Sequence, residues 1–350
     1  MLRVLITTIM VRSGVLTHVC DLANHLSSFG VQVNVAVIKN EKILRSVRLT
    51  EQEMSFMSAK FSPEVPVFFY EDTSDLLELC RSLDVQLLHA QSPLTFATSL
   101  AASRHHEIPL VVTLHGVLNW SMLYSEVLSS AAAIIAIGPE AARFVSDKHR
   151  HKVNIIMNGI DLERFCPAGT ETAVDGPLRL MWFGRSNAPT SYGVNFLDRA
   201  VGELIKQGLS VEAGVLGYAA KAETNYLRKY GWADNPLPCL QQTQLVFGRG
   251  RALREAMACG CVGFLLGEGY GGLVSPDWFE DGKFTPLSAS VKHGFRLPDH
   301  NLIASDILRL YHDRELLARL RLEARSTAVR FFSVRPMAEA TVSVYRSHVT

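Results

Sequence analysis

The sequence predicts an α/β protein built from two parallel-sheet domains in tandem, and three observations carry that expectation. Short apolar runs of strand length recur along the chain and alternate with longer stretches of helical period. The alternation occurs twice, on either side of a Pro-bearing, small-residue connector at residues 166–177. A length of 350 residues suits two domains, and 48% hydrophobic against 20% charged residues suits two sizeable cores.

Residues 3–7 read as the opening strand, followed by a loop with Arg12, Ser13 and Gly14. Val15, Val19, Leu22, Ala23 and Leu26 then mark one helical face, Gly30 ends the helix, and Val31, Val33, Val35 and Ile38 restart a strand pattern. Further strands are expected at 85–89, 110–113, 133–137 and 153–157, with helices at 94–103 and 139–148. Short apolar strands separated by helices favour a parallel sheet covered on both faces. Beyond the connector, strands are expected at 178–183, 211–216, 245–247 and 262–265. Helices are expected at 194–207, 251–259, 302–310 and 314–329. The terminal run 336–348 also has helical spacing and is long enough to cross back onto the first domain. The expected division is therefore 1–170, 171–330 and a C-terminal helix within 331–350.

Charge and composition exclude several classes of function. With 35 Lys plus Arg against 34 Asp plus Glu, the formal net charge is +1, which argues against a general nucleic-acid binder. The N-terminus lacks the apolar core of a signal peptide, and no apolar run reaches the roughly 18 residues of a membrane span. The expectation is a cytoplasmic chain, with peripheral contact at the inner membrane face left open. The six cysteines are scattered without zinc-ligand spacing, and Cys259 and Cys261 read as small buried residues.

Several residues stand where an open parallel sheet presents ligand contacts, beyond its strand ends. Gly14 permits close backbone approach at a helix start, or simply a tight turn. His115 follows a buried strand and precedes Gly116; His89, at another strand end, could instead serve as a structural cap. Arg185, at the first strand end of the second domain, can make directional contacts to phosphate or an ordinary surface pair. Gly248 and Gly250 can expose backbone donors at the next helix start, and Arg249 and Arg251 can add positive charge there or lie solvated on the helix. The run Gly267-Glu268-Gly269-Tyr270-Gly271-Gly272 reads as a second permissive loop.

The assembled motifs resemble the retaining family 4 glycosyltransferases. They are Ser13-Gly14-Val15, His89-Ala90-Gln91-Ser92, Thr113-Leu114-His115-Gly116 and Asn158-Gly159-Ile160-Asp161 with Phe165 and Pro167. The second half adds Phe183-Gly184-Arg185 and Arg254-Glu255-Ala256-Met257-Ala258-Cys259-Gly260. The resemblance spans almost the whole chain and implies the GT-B fold, in which two Rossmann-like domains face each other across a donor-binding cleft. It implies an acceptor-side N-terminal domain and a nucleotide-sugar C-terminal domain. The reaction it implies is hexosyl transfer from a nucleoside diphosphate sugar, with retention, in glycan or glycoconjugate biosynthesis. No further cofactor and no metal are called for. The acceptor would be a saccharide, a lipid-linked sugar or a small molecule.

Residue by residue, the resemblance places His115 on the donor sugar, and Gly184 and Arg185 at the diphosphate. It places Glu255 on the ribose hydroxyls, and Gly14 at the donor phosphate or acceptor. Two departures stand out. The Lys that the family carries after this Arg is absent from Ser191-Tyr192-Gly193, and the family's Glu eight positions before Glu255 is Phe247 here. Glu268 is the nearest candidate to replace that carboxylate. These gaps keep a noncatalytic nucleotide-sugar-binding subunit as the alternative reading, ahead of an epimerase or phosphorylase of similar fold.

Overall fold

A computed structural model describes residues 1–40, 43, 50–169, 176–186, 191–219, 222–281, 283, 285 and 287–349. Residues 170–175 of the expected connector lie outside the described residues. The chain divides into two units, one of residues 1–159 with 334–350 and the other of residues 160–333. The division falls at Gly159/Ile160 rather than at 170/171. The Ile160 N–H donates to the Phe332 carbonyl at 2.6 Å, and Phe165 is buried in the second unit's core, so this segment already belongs to the second unit.

The first unit holds a seven-stranded sheet. Its strands are β1 (Leu2–Thr8), β2 (Val31–Ile38), β3 (Val67–Tyr70), β4 (Leu87–Ala90), β5 (Leu110–Leu114), β6 (Ala133–Ala136) and β7 (Val153–Ile155), in the order β3-β2-β1-β4-β5-β6-β7. Every pairing is parallel. Side-chain alternation sends Val4 and Ile6 into one core and Leu5 into the core on the opposite face. The helix Gly14–Leu26 and the C-terminal helix Val334–Arg346 share the first core, where Met337, Ala338, Val342 and Tyr345 are buried. Gly30, at φ 75°, makes the left-handed turn that admits β2.

The second unit repeats the plan with six strands: β8 (Leu178–Phe183), β9 (Val211–Leu216), β10 (Arg228–Gly231), β11 (Leu245–Gly248), β12 (Val262–Leu266) and β13 (Tyr270–Leu273). Their order is β10-β9-β8-β11-β12-β13, and β13 alone among them runs antiparallel, beside β12. In each sheet the order reverses once, between β1 and β4 and between β8 and β11. Crevices at such reversals are where open α/β sheets take ligands.

Two local expectations are corrected. The helix expected at 139–148 stops at Ala142 and resumes as a 3₁₀ turn at Asp147–Lys152. Ser146 breaks it: its backbone is extended and its N–H is taken by Ser121 Oγ at 2.7 Å. The glycine-rich stretch after β12 is a loop only as far as Gly269, because residues 270–273 pair with β12.

Candidate functional site

Each reversal carries its own group of polar residues. In the second unit Arg185 follows β8 and Arg249 follows β11, two strands paired through Phe183 and Gly248 at their C-terminal ends. Gly184, at φ 126°, turns the chain there and donates its N–H to the Leu216 carbonyl at 3.0 Å. Arg249 is the extended N-cap of the helix Gly250–Ala258, directly after β11. That side chain runs beside Gly267: a Cβ added to Gly267 would lie 3.3 Å from Arg249 Cδ. The Arg249 Nε is shut off from solvent and has no hydrogen-bond partner among the described residues. Burial, and then the neighbouring charge of Arg185, pull the Arg249 pKa below its ordinary value. Two guanidinium groups are thus held close at adjacent strand ends. An oxyanion beside them would replace repulsion with charge-assisted hydrogen bonds.

Other expected contacts in this unit are diverted. Arg251 donates from Nε to Glu255 Oε1 at 2.8 Å, both side chains being largely buried, so this cation pairs within its own helix. The Gly250 N–H, expected to face a ligand, donates to the Leu287 carbonyl at 2.5 Å. Gly248 answers a packing need: a Cβ there would sit 2.7 Å from the Phe183 carbonyl oxygen. Gly271 and Gly272 lie in the edge strand β13, and a Cβ on Gly271 would press on Leu265 and Phe295. Glu268 accepts from Ser290 Oγ at 2.8 Å. Phe247, at the position of the missing carboxylate, is fully buried and stacks on Phe264 with ring centroids 4.8 Å apart.

The first unit's reversal is furnished mainly with neutral groups, and Arg12 in the same loop pairs with Glu53 at 2.9 Å. Ser13 and Gly14 open the helix Gly14–Leu26. The Ser13 hydroxyl is buried, makes no capping hydrogen bond and has no partner among the described residues. A Cβ on Gly14 would meet no atom within 4 Å, so packing does not require this glycine. Across the reversal, β4 leads into Gln91 and the next strand, β5, into His115. His115 Nε2 lies 2.7 Å from Gln91 Oε1, and its ring meets that of His18 edge-on at 4.7 Å. His89, fully buried, lies between Tyr345 OH at 2.6 Å and Thr113 Oγ1 at 2.7 Å. Desolvation lowers the pKa of His89 to about 3 and that of His115 to about 4, so both rings are neutral at pH 7.

Sequence reasoning singled out His115, Arg185, Arg249 and Gly14, and the structure sets the last three at the two reversals and His115 at the end of β5, beside β4. It placed Ser13 and Gln91 within motifs without giving either a role, and it missed His18 and Tyr345. Gln91 was detectable from its spacing, because it sits two residues after His89 and shares that residue's side of the strand. Among the described residues no cluster of three or more His, Cys, Asp or Glu could hold a metal ion. No described helix is long and apolar enough to cross a membrane.

Comparison with known proteins agrees with this architecture. Residues 12–164 match the family model described as Glycosyltransferase Family 4. No curated protein matches the chain by sequence. Among solved structures, HepE of Anabaena in complex with UDP-glucose superimposes with a TM-score of 0.71 at 15% identity, covering 99% of this chain and 100% of that one. A glycosyltransferase from Rickettsia africae gives 0.72 at 13% identity, covering 100% and 99%. Sucrose-phosphate synthase from Thermosynechococcus elongatus gives 0.67 at 14% identity, covering 99% of each. The chain thus has a GT-B fold along its length, and its residues 12–164 match the glycosyltransferase family 4 model.

Proposed function

We propose that this protein is a retaining hexosyltransferase that moves a sugar from a nucleoside diphosphate sugar to an acceptor hydroxyl in glycan or glycoconjugate biosynthesis. The observation that carries the reading is Arg249 near Arg185 at the reversal between β8 and β11, with its buried Nε lacking a hydrogen-bond partner among the described residues. A guanidinium pair of this kind suits a diphosphate, whose charge grows as the sugar leaves. The similar fold of HepE, solved with UDP-glucose and with UDP and glucose, supports the same assignment.

In this reading Arg249 and Arg185 carry the diphosphate, with Gly184 letting the backbone turn beside it. Glu255, paired with Arg251, accepts from ribose hydroxyls. His115 accepts a hydrogen bond from a hydroxyl of the donor sugar, and Ser13 with the Gly14 helix start contacts phosphate or acceptor oxygens. The bond from the anomeric carbon to the diphosphate oxygen breaks as the acceptor oxygen bonds to that carbon on the same face. The acceptor proton passes to the departing phosphate oxygen. Charge stabilisation and placement supply the acceleration, and no side chain is assigned as a covalent nucleophile.

Phe247 favours a second reading, since the position that carries a sugar-binding carboxylate in the family this chain resembles is here buried in an aromatic stack. A noncatalytic nucleotide-sugar-binding subunit would fit that substitution. One experiment separates the two. UDP-, GDP- and ADP-sugars are offered with saccharide, lipid-linked and small-molecule acceptors, and the anomeric configuration of any product is read by NMR. Transfer with retention is expected. Binding of a donor without turnover across the panel would favour the subunit, and failure to bind any activated sugar would defeat both readings.

A further inference from the structure

We propose that Gln91 is a positioning residue for His115, holding its ring in the Nε2–H tautomer and leaving Nδ1 as the ring's acceptor. The role of His115 rests on the function proposed above; the tautomer does not. The argument begins with what each atom can do. Gln91 Oε1 lies 2.7 Å from His115 Nε2, and an amide oxygen only accepts, so the imidazole nitrogen must carry the hydrogen. In a neutral ring the other nitrogen then bears the lone pair. A hydroxyl donating to His115 therefore has a single nitrogen to approach.

The orientation of Gln91 is fixed from behind. Its amide nitrogen lies against the His89 ring, 3.1 Å from Nε2 and 3.4 Å from Nδ1, while its oxygen faces His115. Its backbone N–H donates to the Thr7 carbonyl at 2.8 Å, and the residue is fully buried. His89 is held in turn by Thr113 on one ring nitrogen and by Tyr345 on the other. Tyr345 comes from the C-terminal helix Val334–Arg346, which is anchored in the same core as the helix Gly14–Leu26. A contiguous chain of buried polar contacts thus joins the helix Val334–Arg346 to the ring of His115. Such a chain fixes orientation because each buried group depends on the next for its partner.

The test uses the full-length protein labelled with ¹⁵N-histidine. Long-range proton–nitrogen correlation spectra identify the tautomer of His115, assigned by the signals lost in a His115→Phe variant. The expected wild-type pattern is Nε2–H. In Gln91→Leu, His115 should become a mixture of the two neutral tautomers, and kcat should fall roughly 10- to 100-fold. Gln91→Glu keeps an acceptor oxygen and should restore both the Nε2–H pattern and most of kcat. A wild-type Nδ1–H ring overturns the proposal. So does Gln91→Leu with either the tautomer or kcat unchanged, since a merely structural glutamine would not move the two together. Should Gln91→Leu fail to fold, loss of the Nε2–H pattern in Gln91→Glu is the overturning result. If the wild-type protein transfers no sugar, the functional reading fails, while its spectrum still decides the tautomer.

Discussion

The two units share a strand order around their reversal points but furnish those points in opposite ways. At β8/β11 the second unit sets two like charges at neighbouring strand ends, Arg185 and Arg249, and buries the Arg249 Nε without a hydrogen-bond partner among the described residues. At β1/β4 and the neighbouring end of β5, the first unit sets neutral imidazoles, an amide and hydroxyls in a chain of polar contacts. A repeated fold therefore prescribes where a ligand goes and leaves its chemistry to a few side chains. The charged crevice suits a leaving diphosphate, and the neutral one suits hydroxyls that must be recognised without attracting charge.

That contrast can be broken at the arginines. Arg249→Ala should lower kcat/KM for the donor by about 2–4 kcal/mol, roughly 30- to 1,000-fold, because a desolvated charge-assisted contact is lost. Donor kinetics at saturating acceptor measure it. A change of less than threefold would remove Arg249 from the diphosphate. On the neutral side, His115→Ala should reduce kcat roughly tenfold or more with little change in nucleotide affinity, and steady-state kinetics separate the two. A pure rise in donor KM would instead make His115 a ground-state contact.

How far these groups were legible in the sequence follows from the same physics. The opening strand–helix–strand unit was readable because its apolar period changes at Gly14 and again at Gly30. β10 was not readable: all four of its residues, Arg228–Gly231, are exposed and belong to the sheet by backbone pairing with β9. β13 was read as loop because glycines dominate it, whereas β12 imposes its pairing. In the site, Arg185 and Arg249 were visible as charges at strand ends. The diversion of Arg251 to Glu255 was not read, although its i,i+4 spacing on one helix permits it. The capture of the Gly250 N–H by Leu287 was invisible, because it joins residues 37 positions apart through a loop carbonyl.

Smaller effects sharpen the picture of the first unit. A Cβ at residue 14 meets no protein atom within 4 Å. Gly14→Val should therefore leave the melting temperature nearly unchanged while raising KM for donor or acceptor several-fold. A large loss of stability with unchanged kinetics would make Gly14 a turn residue alone. His89 and His115 also predict a pH response. Their folded pKa values of about 3 and about 4 lie below the ordinary 6.5, so the unfolded chain binds protons that the folded one refuses. Stability should fall as pH drops from 6.5 toward 4, and His89→Gln should flatten part of that slope in urea unfolding. A slope unaltered by that substitution would assign the acid sensitivity elsewhere.

The division of labour between the two reversal points is tested most directly by titrating UDP, GDP and ADP into the wild-type protein, Arg249→Ala and His115→Ala by calorimetry. At least one nucleoside diphosphate should bind the wild-type protein, bind Arg249→Ala far more weakly, and bind His115→Ala with nearly wild-type affinity. Equal losses in both variants, or unimpaired binding to Arg249→Ala, would contradict the assignment of the diphosphate to the second unit.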